Sequence, residues 1–127
     1  MGTRSLTFVY DGDVPVINVY RQFDGYPSCH GHELAQFLNS KILVNGFTDK
    51  NSAQANGMGC LAAQLIVQLK HGVGGIYIYP VSSTDCFQDY EYHVYEDRVV
   101  VKDPTAVIFE GTWEEFGQFC LDPISAE

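Results

Sequence analysis

The sequence predicts an α+β fold, a mostly antiparallel sheet of about six strands with helices laid on one face. Three observations predict it. Stretches rich in β-branched and aromatic residues come in neighbouring pairs joined by short turns, which favours antiparallel pairing. Three other stretches repeat apolar residues at helical spacing. The run Ile76-Tyr77-Ile78-Tyr79 alternates strictly, as a strand does between two different surroundings.

Taken in order, Ser5 to Tyr10 is a strand, Asp11-Gly12-Asp13 a turn signal, and Val16 to Gln22 its hairpin partner. Pro15 sits at the start of the second strand, where a missing N–H does least harm. A Gly/Pro turn comes next, then a helix from about Gly31, with Leu34, Ala35, Phe37 and Leu38 on one face and Ser28 or His30 placed to cap it. Asn45-Gly46 marks the end of that unit, with the glycine as a left-handed cap. Residues 47–56 are small and polar and are expected to be a loop.

A second helix runs from about Met58 to His71 and is apolar on nearly all sides, which predicts burial on most of them. Gly72, Gly74 and Gly75 stop it. The alternating strand Ile76–Tyr79 directs isoleucines to the helices and tyrosines to the other side; Pro80 ends it, and residues 81–89 form a polar loop. Tyr90–Tyr95 and Arg98–Lys102 form a hairpin, and Asp103-Pro104 turns into Ala106–Phe109. Thr112-Trp113-Glu114-Glu115 is a capping box that opens a last helix, with Trp113, Phe116, Phe119 and Cys120 on one face and Asp122-Pro123 as its end. The order is β-β-α-α-β-β-β-β-α, in a single domain spanning 1–127.

The net charge of −9 is unevenly placed. Residues 1–84 hold five acids and five bases, whereas 85–127 hold eleven acids and two bases, so the C-terminal third carries all of it. With no basic surface, direct nucleic-acid binding is not expected. No apolar run reaches the roughly 20 residues of a membrane span, and no apolar leader opens the chain. The expectation is a cytoplasmic protein. Cys29, Cys60, Cys86 and Cys120 show no C-x-x-C spacing, and Cys60 and Cys120 fall on apolar helix faces as small core residues. No metal or other cofactor is expected: Cys29-x-x-His32 lacks the rest of a tetrahedral set.

The densest chemistry lies in Phe23-Asp24-Gly25-Tyr26-Pro27-Ser28-Cys29-His30-Gly31-His32. A turn alone needs only Asp, Gly and Pro. A helix start with free N–H groups, a Ser and two His residues is suited to an anion. Asp24, Tyr26, Ser28, His30 and His32 are therefore candidate ligand-binding residues, with Tyr26 or Tyr79 against a base. Asn56 and Gly57, at the Gly-rich start of the second helix, are candidates for close backbone approach to a ligand; because successive helices on one face are usually antiparallel, the two helix starts would meet only across an oligomer interface. On this reading binding tightens as pH falls through about 6.5, the ordinary histidine value. A conformationally demanding loop whose polar groups satisfy one another is the competing reading. Tyr77 and Tyr79, on the face away from the helices, suit a homo-oligomer contact as well as a ligand platform.

The segments Phe23–Ser28 with Gly31–Leu38, Asn56–Gln64, and Gly74–Pro80 together resemble a family of small uncharacterised proteins found in tailed phages and prophages. The similarity spans about Arg4 to Tyr95, and Cys29 stands where that pattern has glycine. The resemblance implies a phage accessory protein acting in the host cytoplasm, where proteins of this size often counter host defence and some sequester nucleotide signals. Three functions stand as expectations. The first is non-catalytic capture of a small anionic, nucleotide-like ligand. The second is a protein–protein inhibitor or structural accessory using the acidic C-terminal third. The third is a small hydrolase using His30 or His32.

Overall fold

The computed structural model describes residues 2–46 and 53–121. Its main sheet has six strands: β1 (Ser5–Asp11), β2 (Val14–Arg21), β5 (Ile76–Tyr79), β6 (Tyr90–Val94), β7 (Val99–Lys102) and β8 (Val107–Gly111). They lie in the order β5-β2-β1-β6-β7-β8. Only β1 and β6 run parallel; the other four pairings are antiparallel. The class and the six-stranded sheet are as the sequence predicts.

Strand register separates two faces. Val19, Thr7, Tyr92 and Val101 stand in one row across β2, β1, β6 and β7. This row faces α1 (His32–Asn39), α2 (Gly57–Leu69) and α3 (Trp113–Leu121), and with Leu34, Leu38, Leu61, Leu65 and Phe116 it forms the main core. The adjacent row, Asn18, Phe8 and His93, points the other way. There Leu6, Phe8 and Tyr20 form a second, smaller cluster with Tyr10, Tyr79 and Cys86 against it. Segment 80–89 crosses that face, held by Asn18 Nδ2, which donates to the Pro80 and Ser83 carbonyls at 3.0 and 2.8 Å.

Two local expectations change. α1 stops at Asn39, and Ile42–Val44 forms a short strand, β3, paired in parallel with β4 (Gln54–Asn56). A continuous apolar triplet reads equally well as buried helix or strand, and here the partner strand decides. Gly46 does adopt a left-handed φ of 82°, but after β3, not at a helix end. Of the expected loop 47–56, Gln54–Asn56 is instead strand β4, while 47–52 lie outside the described residues, as does the Asp122-Pro123 stop. Secondly, α2 buries one stripe, Met58, Leu61, Ala62, Leu65 and Leu69, and leaves Val67 79% exposed. Cys120 is buried, which pushes its thiol up to about 12, while Cys60 is half-buried.

The capping box closes α3 as its sequence predicts. The Glu115 N–H donates to Thr112 Oγ1 at 3.1 Å, and the Thr112 N–H donates to Glu115 Oε1 at 2.8 Å. Thr112→Ala removes one of these and should lower stability by about 0.5–2 kcal/mol, read by denaturant melts. An unchanged midpoint would mean that α3 is held by packing of Phe116 and Phe119 alone.

Candidate functional site

Arg21 ends β2 and anchors the polar loop beyond it. Its Nε donates to the Phe23 carbonyl at 2.9 Å. Its Nη1 donates to Glu33 Oε1 at 2.6 Å and to His30 Nδ1 at 3.1 Å. Because a guanidinium can only donate, His30 Nδ1 accepts and the ring proton is assigned to Nε2. Nε2 then donates to Thr7 Oγ1 at 2.7 Å. His30 is fully buried, with its ring edge-on to Tyr92 at 4.9 Å between centroids. Burial, and secondarily the Arg21 charge, lower its pKa to about 3, so the ring is neutral.

The segment leading to His30 is shaped by close approach. Asp24 takes a φ of 60°. Gly25 lies against the backbone of Arg4 and Ser5, donates its N–H to the Thr3 carbonyl at 2.9 Å, and accepts from the Tyr92 hydroxyl at 2.7 Å. Pro27–Gly31 then forms a π-helical turn that runs directly into α1. The Cys29 and Gly31 N–H groups donate to the Tyr26 carbonyl, and the His30 N–H donates to that of Asp24. Donors that a free helix start would offer to an anion are therefore engaged by the turn itself.

The candidate residues do not converge. His30 is sealed inside. Ser28 and Tyr26 are at the surface, where a hydrogen bond to Cys29 is the main cause that raises the Tyr26 phenol. His32 lines a groove between α1 and α3. The Asn56 side chain accepts from the Gly46 N–H at 2.7 Å, and Gly57 opens α2 with a φ of 83°. Tyr79 lies on the opposite sheet face, stacked on Tyr20 at 4.8 Å.

Asp24 joins a different cleft. The cleft has a volume of about 180 Å³ and is lined by Arg21, Phe23, Asp24, Glu33, His71 and the Gly74-Gly75 turn, among others. The Gln22 N–H, donating to the Gly75 carbonyl at 2.8 Å, ties that turn to the end of β2. Two of the sequence motifs thus meet here, at the start of α1 and the end of α2. Arg21, Glu33 and His71 are not among the residues that the sequence singles out. One signal does point to the first two: an arginine closes an apolar strand immediately before the polar loop, and a carboxylate lies on the helix beyond. Arg21 Nη2 has no protein partner among the described residues, and a fifth of the side chain is exposed. Three hydrogen bonds therefore hold a guanidinium in place with donors to spare. Phe23, 52% exposed, forms one rim of the same cleft.

A second polar chain lies on the other face. The Tyr10 hydroxyl meets His93 Nδ1 at 2.6 Å, His93 Nε2 meets Glu91 Oε1 at 2.9 Å, and Gln88 Nε2 donates to Glu91 Oε2 at 2.9 Å. The His93 hydrogen bond is the main cause that lowers the Glu91 pKa. Burial raises the Tyr10 phenol far above its usual range, with Tyr95 adding to it, so the phenol stays protonated. Among the described residues, no group of three or more His, Cys, Asp or Glu is placed to hold a metal, and no helix is long and apolar enough to cross a membrane. Comparison with protein-family models, curated proteins and solved structures gives no match.

Proposed function

We propose that this chain is a non-catalytic binding protein that takes a small anionic, nucleotide-like ligand at the Arg21 cleft. The observation that carries this reading is the pre-set guanidinium: Nε and Nη1 are fixed by Phe23, His30 and Glu33, leaving Nη2 for a phosphate or carboxylate. A site of about 180 Å³ has room for a head group. The ring of the ligand then lies outside it, against Phe23, with Asp24 able to accept from an exocyclic amino group. His30 contributes no charge to this site; it fixes the arginine that does. The hydrolase alternative draws no support from His30, whose two ring nitrogens are both engaged. The proposal of a phage accessory role, with anti-defence as its purpose, rests on the sequence resemblance. That of a homo-oligomer rests on Tyr77, which stays exposed where Tyr79 is half-buried.

Calorimetry with inorganic phosphate, mononucleotides and cyclic nucleotides tests the reading. Wild type should bind a nucleotide more tightly than phosphate. Phe23→Ala should weaken nucleotide binding by the worth of one stacked base, ~1–3 kcal/mol, while phosphate binding and melting temperature stay the same. No heat from any of these ligands with wild type would reject it.

A further inference from the structure

We infer that Phe87 is a docking knob for a protein partner that presents an apolar pocket rimmed by Lys or Arg. Phe87 is the second non-glycine residue with a left-handed backbone, at φ 59°, and its side chain is 84% exposed. A bulky residue rarely adopts that conformation. A large apolar ring in water gains nothing for the fold. Both features at one residue mark a position kept for something outside the chain.

The surrounding segment is held firmly, so the ring is presented and not merely loose. Cys86 points inward and packs on the Leu6, Phe8 and Tyr20 cluster. Gln88, which follows the knob, reaches back to the residues before it, its Oε1 accepting from the Cys86 N–H at 2.7 Å and its Nε2 donating to the Thr84 carbonyl at 2.8 Å. Asp89 ties the end of the segment to β1, accepting from the Arg4 N–H at 3.1 Å and donating its own N–H to the Arg4 carbonyl at 2.8 Å. Exposed aromatics, Phe among them, are enriched at protein interfaces.

Charge selects the partner. The neighbours of Phe87 line a cleft of about 270 Å³ that carries Asp85, Asp89, Glu91 and Asp103 against the single ammonium of Lys102. A basic side chain fits this cleft while the ring enters an apolar pocket beside it, the arrangement of an apolar anchor with a complementary charged rim. A second copy that met the knob with this same surface would bring four carboxylates against four. The surface is separate from the Arg21 cleft and does not depend on the ligand proposed there.

The test selects disulfide-constrained random peptides on the immobilised full-length protein. Enriched peptides should pair Lys or Arg with bulky apolar residues. Their affinity should fall at least tenfold for Phe87→Ala and for Asp85→Asn/Asp89→Asn, and should weaken with added salt. Phe87→Gly should melt at or above the wild-type temperature. Peptides that bind Phe87→Ala equally well, peptides rich in acids, or no enrichment at all would overturn the proposal. So would a wild-type dimer in sedimentation that Phe87→Ala dissociates, because the occupant would then be a second copy. A melting temperature for Phe87→Gly more than about 5 °C below wild type would assign the residue to the fold and overturn it too.

Discussion

His30→Ala should destabilise the protein by about 3–5 kcal/mol, the range for emptying a large buried ring site. That is a large share of the 5–15 kcal/mol that holds most domains together. The loss has two parts. A cavity opens beside Tyr92, and the partners Thr7 Oγ1 and Arg21 Nη1 each lose a hydrogen bond. The same residue sets a pH dependence whose sign comes from its burial. Its pKa is about 3 in the folded protein and 6.5 when unperturbed. Between those values the unfolded chain binds the extra proton and the folded one does not. Its contribution is therefore complete above about pH 6.5 and is lost as pH falls toward 3, with a slope approaching ~1.4 kcal/mol per pH unit. Urea melts at pH 7, 6 and 5 should show that slope above the range where carboxylates titrate. His30→Gln keeps a donor and an acceptor without the titration, and should flatten it. Equal slopes in the two proteins would mean that His30 is not buried neutral in solution.

Gly25→Ala should be as damaging, by overpacking. A Cβ at residue 25 would lie 2.9 Å from the Arg4 carbonyl carbon, from Ser5 N and from Ser5 Cβ. Two of those three are backbone atoms of β1 or its approach, so no side chain can swing aside. Relief requires moving the Phe23–Pro27 turn off β1, which breaks the Gly25 bonds to Thr3 and Tyr92. The expected loss is at or beyond the top of the ~1–3 kcal/mol usual for an added methyl group in a packed site. Gly31→Ala is the useful contrast. Its nearest obstacle is the Cys120 Sγ at 2.8 Å, a side chain. Cys120→Ala should therefore recover much of the stability lost in Gly31→Ala, whereas no side-chain substitution nearby recovers Gly25→Ala. Melting temperatures of these variants decide; rescue of Gly25→Ala by Ser5→Gly to wild-type stability would show that only the Ser5 Cβ contact matters.

Local pattern by itself determined the class, the strand pairs joined by short turns, the α3 capping box and which sheet face carries Tyr77 and Tyr79. Each of these depends on neighbours within a few residues, through side-chain alternation, turn chemistry or helix-end hydrogen bonds. Only the tertiary structure decided the rest. The parallel β1–β6 pairing joins segments about 85 residues apart, and no local period encodes such a partner. β3 exists because β4 lies beside it. The polar loop from Asp24 to His32 was legible as special but not as to its direction. Composition cannot say whether a histidine faces water or a core. Here Thr7 and Arg21, from two strands, supply the partners that let His30 be buried, and so its role passes to the arginine it orients. The cleft residues Glu33 and His71 stand 38 positions apart in the chain; only folding of α1 and α2 onto the end of β2 makes them neighbours.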